Sequence, residues 1–251
     1  MDQTISAPYL NKTPKSELFA RAVRMDTKGI SMTSLIIGAS GGIGAALAAR
    51  LEAQGDAVTR LSRAAGDFDF SQPDSVGDAL AALSGPFDRV IVATGKLDGA
   101  GHPPEKSLKA LTAAALADQF AVNTIGPALI LRELPRLLSR SKPAHVAVLT
   151  ARVGSIGDNK VGGWYAYRAA KAATNQIVHT AAIELARTHK QACLISYHPG
   201  TVATKFTAHY QASHPTVSPD EAAQNLLGVL AGLSVNQSGG FYDWRGDEVA
   251  W

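Results

Sequence analysis

From Ser34 onward, short apolar runs alternate with segments of helical pattern. Parallel strands cannot be joined by a tight turn, so such alternation reads as βαβ units with helices covering a parallel sheet. The spacing predicts strands at Leu35–Ile37, Ala57–Leu61, Asp67–Phe70, Phe87–Ala93, His145–Thr150, Gln191–His198 and Gly240–Asp243. Helices are predicted from the turn after Ile37 to about Gln54, over Pro73–Leu83 (with a proline near its first turn), roughly Ser107–Leu138, Trp164–Arg187 and Ser218–Leu230. A Gly/Pro-rich loop, Gly95 to Pro104, follows the fourth strand. The expected class is α/β: a single-domain, doubly wound parallel sheet of about seven strands with helices on both faces. The 251 residues suffice for one such domain.

Residues 1–31 read differently, mixing Pro8, Pro14 and basic residues with a short amphipathic piece, Glu17–Val23. An N-terminal extension outside the fold is preferred to a targeting arm or an unused upstream start. Asp2, Glu17 and Asp26 count against a transit peptide. The folded domain is expected over 32–251.

Hydrophobic residues at 46% and charged residues at 18% give the balance of a globular chain rather than a disordered one. A net charge of +3, with no basic cluster interleaved with aromatics, points away from nucleic acid. The single cysteine, Cys193, rules out an internal disulfide and, within the apolar run Ala192–Tyr197, reads as a core thiol. No apolar stretch reaches the ~18–20 residues of a membrane span, and the N-terminus lacks the uninterrupted apolar segment of a secretory signal. A cytoplasmic location without membrane partners is therefore expected.

Gly38-Ala39-Ser40-Gly41-Gly42-Ile43-Gly44 joins the first strand to an alanine-rich helix. Glycines at this junction let a backbone approach a pyrophosphate, and the helix N-terminus offers N–H groups and partial positive charge. The spacing Gly38-x-x-x-Gly42-x-Gly44 differs from G-x-G-x-x-G in where the tight turn falls. Any sharp turn can use such glycines, but the place between strand and helix favours a dinucleotide site on a Rossmann-type domain over a mere tight turn, with Gly38, Ser40, Gly41, Gly42, Ile43 and Gly44 as candidate contacts. After the second strand a carboxylate would bind the ribose hydroxyl of NAD(H), and a cation the extra phosphate of NADP(H). Leu61-Ser62-Arg63 carries no acid there. Ser62 and Arg63 thus favour NADP(H) over NAD(H), against the blander reading of Arg63 as a solvated loop residue.

Tyr167 and Lys171 lie four apart in a helix-forming segment and share a face. A phenol titrates near ~10 in water and is a poor proton donor at neutral pH. A nearby ammonium favours the phenolate, so the pair is expected to lower the Tyr167 value and make it a general acid or base for a carbonyl receiving hydride. An isolated Tyr/Lys pair is common on helix surfaces; the upstream glycine turn and the strand order make this one specific. Pro127 has no N–H to give the carbonyl of Asn123, so the helix should bulge there and leave that carbonyl free to hold a water.

With these motifs the chain, from about Leu35 to Trp251, resembles the short-chain dehydrogenase/reductase family. Gly154-Ser155-Ile156-Gly157-Asp158-Asn159, Gly162-Gly163-Trp164-Tyr165 and Trp251 are similar to its small C-factor-like and carbonyl-reductase-like members. The resemblance implies cofactor contacts at Gly38, Gly42 and Gly44, at Asp69 near the adenine, at Gly95, and at Pro199, Gly200, Val202 and Thr204 toward the nicotinamide. It also implies that Tyr167 and Lys171 contact cofactor, that Asn123, Tyr167 and Lys171 are catalytic, that the Asn123-held water relays protons to Lys171, and that the protein is a homodimer or homotetramer.

The chain departs from the pattern at three places. The family's serine pair is Thr150-Ala151, its Asn-Asn-Ala-Gly segment is Val92-Ala93-Thr94-Gly95, and its threonine before the glycine turn is Ile37. Ala151 cannot polarise a carbonyl; Ser155 is the first candidate to replace it and Thr150 the second. The expected activity is hydride transfer between NADP(H) and a small carbonyl or alcohol, covered by Lys205–Pro215 with Phe206, His209, Tyr210 and His214. Those histidines lack metal-ligand spacing, and no metal is expected. The alternative is a non-catalytic NADP(H)-binding sensor of C-factor type, which Ala151 favours and the intact Tyr167–Lys171 pair disfavours.

Overall fold

The computed structural model describes residues 31–208 and 215–251. The expected extension, apart from Ser31, and His209, Tyr210 and His214 lie outside the described residues. Among the described residues six strands form one sheet: β1 (Thr33–Ile37), β2 (Ala57–Leu61), β3 (Arg89–Val92), β4 (Ala144–Leu149), β5 (Ala192–His198) and β6 (Phe241–Asp243). Their spatial order is β2-β1-β3-β4-β5-β6, and every neighbouring pair is parallel. The chain winds outward from β1 to β2, then returns to place β3 on the other side of β1. That reversal opens a crevice at the carboxyl ends of β1 and β3, the place where doubly wound sheets bind ligands.

Side-chain alternation along the strands sorts the core into two layers. Leu35, Val90, Val92, Val146, Val148 and Leu194 pack with Leu80, Leu134 and Val178 from α2 (Pro73–Ala81), α4 (Gly126–Leu137) and α5 (Tyr165–Leu185). Ile36, Ile91, Ala147, Ile195 and Tyr197 pack on the opposite face with Leu47, Leu51, Leu226 and Leu230 from α1 (Gly42–Ala53) and α6 (Pro219–Gly232). Cys193 lies in this second layer, where burial pushes its thiol up to about 11.

Two expectations need correction. Asp67–Phe70 is not a strand: it makes only an isolated bridge, Asp69 with Gln72. Its alternation is real, but Phe68 and Phe70 turn into the α2/α4 layer instead of extending the sheet past β2. Phe70 fills the space that a side chain on Gly126 would need, 2.5 Å from a Cβ placed there. Secondly, the continuous helical run Ala113–Leu137, comprising α3 (Ala113–Phe120), a π turn (Ala121–Ile125) and α4, is long and apolar enough by length and composition to cross a membrane. Gln119, Asn123 and Thr124 interrupt its apolar residues, but they are buried within the domain, and the run supplies Ile130, Leu134 and Leu137 to the core.

Candidate active site

At the carboxyl end of β1, Gly38 has φ +93°, and a Cβ there would sit 2.8 Å from the carbonyl carbon and oxygen of Ala93. Only glycine meets both demands, a left-handed turn and contact with the end of β3. The N–H groups of Gly38 and Ala39 donate to the Leu61 carbonyl at 2.8 and 3.1 Å, tying the turn to the end of β2. A Cβ on Gly42 would lie 2.5 Å from Thr204 Cγ2, which shows how closely the 199–204 turn approaches the start of α1. Helix α1 starts from Gly41, which has no side chain to cap it, and carries no acid in its first turn. Ser40, Gly41 and Gly42 are exposed along this rim and Ile43 is half-buried. The turn is built to receive an anion.

Arg63 follows β2 and is exposed; among the described residues it forms no salt bridge. Arg60, by contrast, is tied to Glu52 at 2.6 Å. Ser62 is more committed than expected: its hydroxyl accepts from the Ala65 N–H at 3.2 Å, although its own proton remains available to donate. Its N–H is taken by the Asp67 carboxylate at 2.7 Å. Asp69 accepts from the Ser71 N–H and hydroxyl, and these bonds, backed by the field of Arg63, hold its carboxyl below the ordinary range.

Tyr167 and Lys171 occupy the sheet-facing side of α5, at 5% and 2% exposure. Lys171 Nζ donates to the Leu149 carbonyl at 3.1 Å and lies 5.8 Å from the centroid of the Tyr167 ring. A Cβ on Gly95 would stand 3.4 Å from Asn123 Oδ1, 3.6 Å from the Phe206 ring and 3.7 Å from Lys171 Nζ. Trp164 and Phe206 flank the phenol, with ring centroids 6.1 and 6.4 Å from that of Tyr167. Gly95, Asn123, Tyr167, Lys171 and Phe206 therefore converge in one place beyond the end of β3.

The expected acidification of the phenol is absent from the protein alone. Burial pushes Tyr167 above its ordinary value and pushes Lys171 down to about 7. The physical reason is that Lys171 reaches a backbone carbonyl rather than the phenol, while both side chains are withdrawn from water. A stability prediction follows. The unfolded chain keeps the Lys171 proton to near its ordinary 10.5, whereas the folded chain releases it at about 7. The unfolded state thus binds more protons between these values, and stability rises with pH. Urea denaturation of the cofactor-free protein should show a gain of roughly 2 kcal/mol from pH 7 to 9, from ~1.4 kcal/mol per pH unit at full slope. Lys171→Met should remove that slope; an unchanged slope would show that Lys171 is not its source. Above that window Cys193 and Tyr167, both raised by burial, act in the opposite direction.

Asn123 sits in the expected distortion, the π turn before Pro127. Its side chain is fully used. Oδ1 accepts from the Lys96 N–H at 3.1 Å, and Nδ2 donates to the Lys96 carbonyl at 2.8 Å and to Gln119 Oε1 at 2.6 Å. Gln119 Nε2 in turn donates to the Leu97 carbonyl at 2.9 Å, so the pair pins the chain just past Gly95. The Asn123 carbonyl is not free as expected: the Thr174 hydroxyl reaches it. Thr174 also lies within bonding distance of the Ala170 carbonyl, but Thr124 donates to that same oxygen at 2.8 Å, leaving the Thr174 proton available for Asn123. Sequence reasoning passed over Gln119 and Thr174. Their signal was spacing alone: Gln119 is one helical turn before Asn123, and Thr174 is seven residues beyond Tyr167 on the same face.

Ser155 does not join this group. Its hydroxyl accepts from the Asp158 N–H at 3.0 Å, and it lines a cavity of about 210 Å³ with Arg168, Ala169 and Ala172, away from the sheet-facing side of α5. Thr150, the second candidate, directly follows β4, and its buried hydroxyl has no hydrogen-bond partner among the described residues. Pro199, Gly200, Val202 and Thr204 follow β5 and lie along the same edge of the crevice, with Thr204 against Gly42.

A sequence model of the short chain dehydrogenase family matches residues 32–214. A 1-hydroxy-2-glutathionyl-2-methyl-3-butene dehydrogenase of Rhodococcus sp. (strain AD45) is 35% identical over 133 residues, 53% of this chain and 57% of that protein. The C-signal protein of Myxococcus xanthus is 33% identical over 138 residues, 55% of this chain and 80% of that one. The chain therefore matches little more than half the length of the Rhodococcus relative. In structure it is similar to an NADPH-bound carbonyl reductase from chicken fatty liver, with a TM-score of 0.74 and 20% identity over 88% of this chain and 94% of that one. The Drosophila melanogaster carbonyl reductase Sniffer gives 0.72 at 20% identity, covering 88% and 100%. At such identity the structural likeness speaks for the fold, and the sequence match carries the assignment: this chain belongs to the short chain dehydrogenase family.

Proposed function

We propose that this protein is an NADP(H)-dependent oxidoreductase that interconverts a small carbonyl compound and its alcohol, with Tyr167 as general acid or base and Lys171 assisting. The observation that carries the reading is the convergence of Tyr167, Lys171, Asn123 and Gly95 at the crevice that begins with the Gly38–Gly44 turn. That turn fits a dinucleotide: a close backbone approach that side chains would block, and a helix N-terminus with no side-chain cap from Gly41 and no acid in its first turn. The exposed Arg63 favours the phosphorylated form, as do NADPH in the chicken carbonyl reductase and NADP in a Burkholderia multivorans relative of the fold. When bound, NADPH supplies the hydride.

The chain's own residues supply the proton and the geometry. Tyr167 gives its phenolic proton to the carbonyl oxygen as the carbon is reduced, and takes it back in the oxidation direction. Lys171, protonated, stabilises the phenolate left behind. Thr150 is the nearest hydroxyl-bearing position to Ala151 and is our candidate for polarising the carbonyl. Asn123 and Gln119 fix the chain around Gly95. Gly38, Ser40, Gly41, Gly42, Ile43 and Gly44 would hold the pyrophosphate, Ser62 and Arg63 the ribose phosphate, Asp69 the adenine, and Pro199, Gly200, Val202 and Thr204 the nicotinamide end. Exposed Ile125 on the π turn and Ile183 on α5 support assembly as a homodimer or homotetramer.

The test is a panel of aldehydes and ketones with NADPH and NADH, using wild type and Arg63→Ala. A charge-assisted bond contributes ~1.5–3 kcal/mol, so the substitution should raise KM for NADPH roughly 10- to 100-fold and leave NADH within about two-fold. Equal effects on both cofactors would remove Arg63 from phosphate recognition. The second reading is a non-catalytic NADP(H)-binding sensor, favoured by the match to C-signal and by Ala151. Tight NADPH binding without turnover of any carbonyl would select it.

A further inference from the structure

Helix α5, which carries Tyr167, begins without a cap of its own. Trp164 at its N-cap position has φ 55°, makes no side-chain cap hydrogen bond, and no acid follows in the first turn. Gly162 and Gly163 just before it have φ +71° and +67°. Three successive residues are thus left-handed, and tryptophan adopts that conformation only where its surroundings impose it. Arg168 supplies part of that constraint: its guanidinium donates to the carbonyls of Gly163 at 2.9 Å and of Gly162 and Val153 at 3.2 Å.

Glu105 supplies the rest from 61 residues upstream of Ala166. Its backbone carbonyl accepts from the Trp164 N–H, and its carboxylate Oε2 accepts from the Ala166 N–H at 3.2 Å. Ala166 is the second residue of the helix, and its N–H is one that an N-cap side chain normally takes. Glu105 is only 8% exposed, and among the described residues no cation forms a salt bridge with it. A buried charge without a counter-ion requires another partner, and the partial positive charge of the α5 N-terminus is the one present. Glu105 belongs to the loop that leaves β3 through Gly95, and Tyr167 directly follows Ala166.

We propose that Glu105 is a positioning residue for Tyr167. It is a cap delivered in tertiary structure, which sets the first turn of α5 and links the placement of the phenol to the loop running from Gly95. The proposal rests on the reading of Tyr167 as the proton donor. Misplacing a reacting group by a fraction of an ångström to 1 Å lowers rate without abolishing ligand binding.

The experiment compares wild type, Glu105→Ala and Glu105→Gln as full chains, measuring kcat, KM for NADPH and amide hydrogen exchange over residues 164–168. Glu105→Ala should lower kcat roughly 10- to 100-fold, keep KM for NADPH within about two-fold, and speed exchange at Ala166 and Tyr167. Glu105→Gln, whose amide oxygen still accepts from the Ala166 N–H, should recover most of kcat and of the exchange protection. Unchanged exchange in Glu105→Ala would overturn the cap even if no carbonyl is turned over by wild type. A fall in kcat that tracks a fall in NADPH affinity, with no recovery in Glu105→Gln, would overturn the positioning role and leave a purely structural one. Absence of wild-type turnover, with exchange responding as expected, would instead count against Tyr167 as the donor while upholding the cap.

Discussion

Tyr167→Phe should lower kcat for carbonyl reduction by roughly 10²- to 10⁴-fold while leaving NADPH affinity within about two-fold, the range that positioned proton transfer contributes. The substitution removes one oxygen and keeps the ring, so contacts with Trp164 and Phe206 persist. Among the described residues no protein hydrogen bond to the phenol is lost, and Tyr167 is 5% exposed, so loss of the hydroxyl leaves folding intact. Burial also holds the phenol in its protonated form, which is the form needed to reduce a carbonyl. Stopped-flow or steady-state loss of NADPH absorbance reads the rate, and fluorescence titration reads cofactor binding. A mutant that oxidises NADPH at the wild-type rate would show that the proton comes from another group.

The architecture was legible because each strand advertises itself twice, as an apolar run and as the partner of a helical pattern. The doubly buried runs β1, β3, β4 and β5 needed no context. Asp67–Phe70 failed because alternation reports only that two aromatics face one way. Whether a neighbouring strand is in reach is a tertiary fact, and here the neighbour is the α2/α4 layer. The helical run 113–137 does not read as a membrane-length apolar stretch because Gln119, Asn123 and Thr124 interrupt it; in the fold these three are buried and hydrogen-bonded, and the run is still apolar enough by length and composition.

In the site itself, the glycines and the Tyr167–Lys171 spacing carried their meaning in one dimension, since a tight turn and a helical face are local. The direction of their electrostatics did not. Desolvation depends on what covers a side chain, and no spacing shows that Lys171 turns to the Leu149 carbonyl. Ser155 was the natural choice by residue type alone, yet its hydroxyl accepts from the Asp158 N–H and it lines the cavity beside Arg168, Ala169 and Ala172. Glu105 was invisible for the same reason: a cap 61 residues away leaves no local signature.

A pair of Gly→Ala substitutions isolates what the glycine turn demands. Both Gly44 and Gly228 lie inside helices, where alanine is ordinarily favoured by roughly 0.5–1 kcal/mol. A Cβ on Gly228 meets nothing within 4 Å, so Gly228→Ala should raise stability by about that amount. On Gly44 the same atom would lie 2.2 Å from the Gly38 carbonyl oxygen and 2.9 Å from its carbon. Both are backbone atoms of the turn, which is held in turn against Ala93 and Leu61, so they cannot swing aside as a side chain would. Gly44→Ala should therefore destabilise the protein by roughly 2–4 kcal/mol, at or above the usual range for overpacking. At ~2–4 °C per kcal/mol for a domain of this size, that is a loss of about 4–16 °C in Tm. Because relief requires moving Gly38 away from α1, the same substitution should weaken NADPH binding at least about ten-fold, whereas Gly228→Ala should leave it unchanged. Thermal unfolding of the two variants with and without NADPH reads both effects. Equal stability for the two would mean that the turn yields, and that close approach of backbone to backbone is not what holds glycine at position 44.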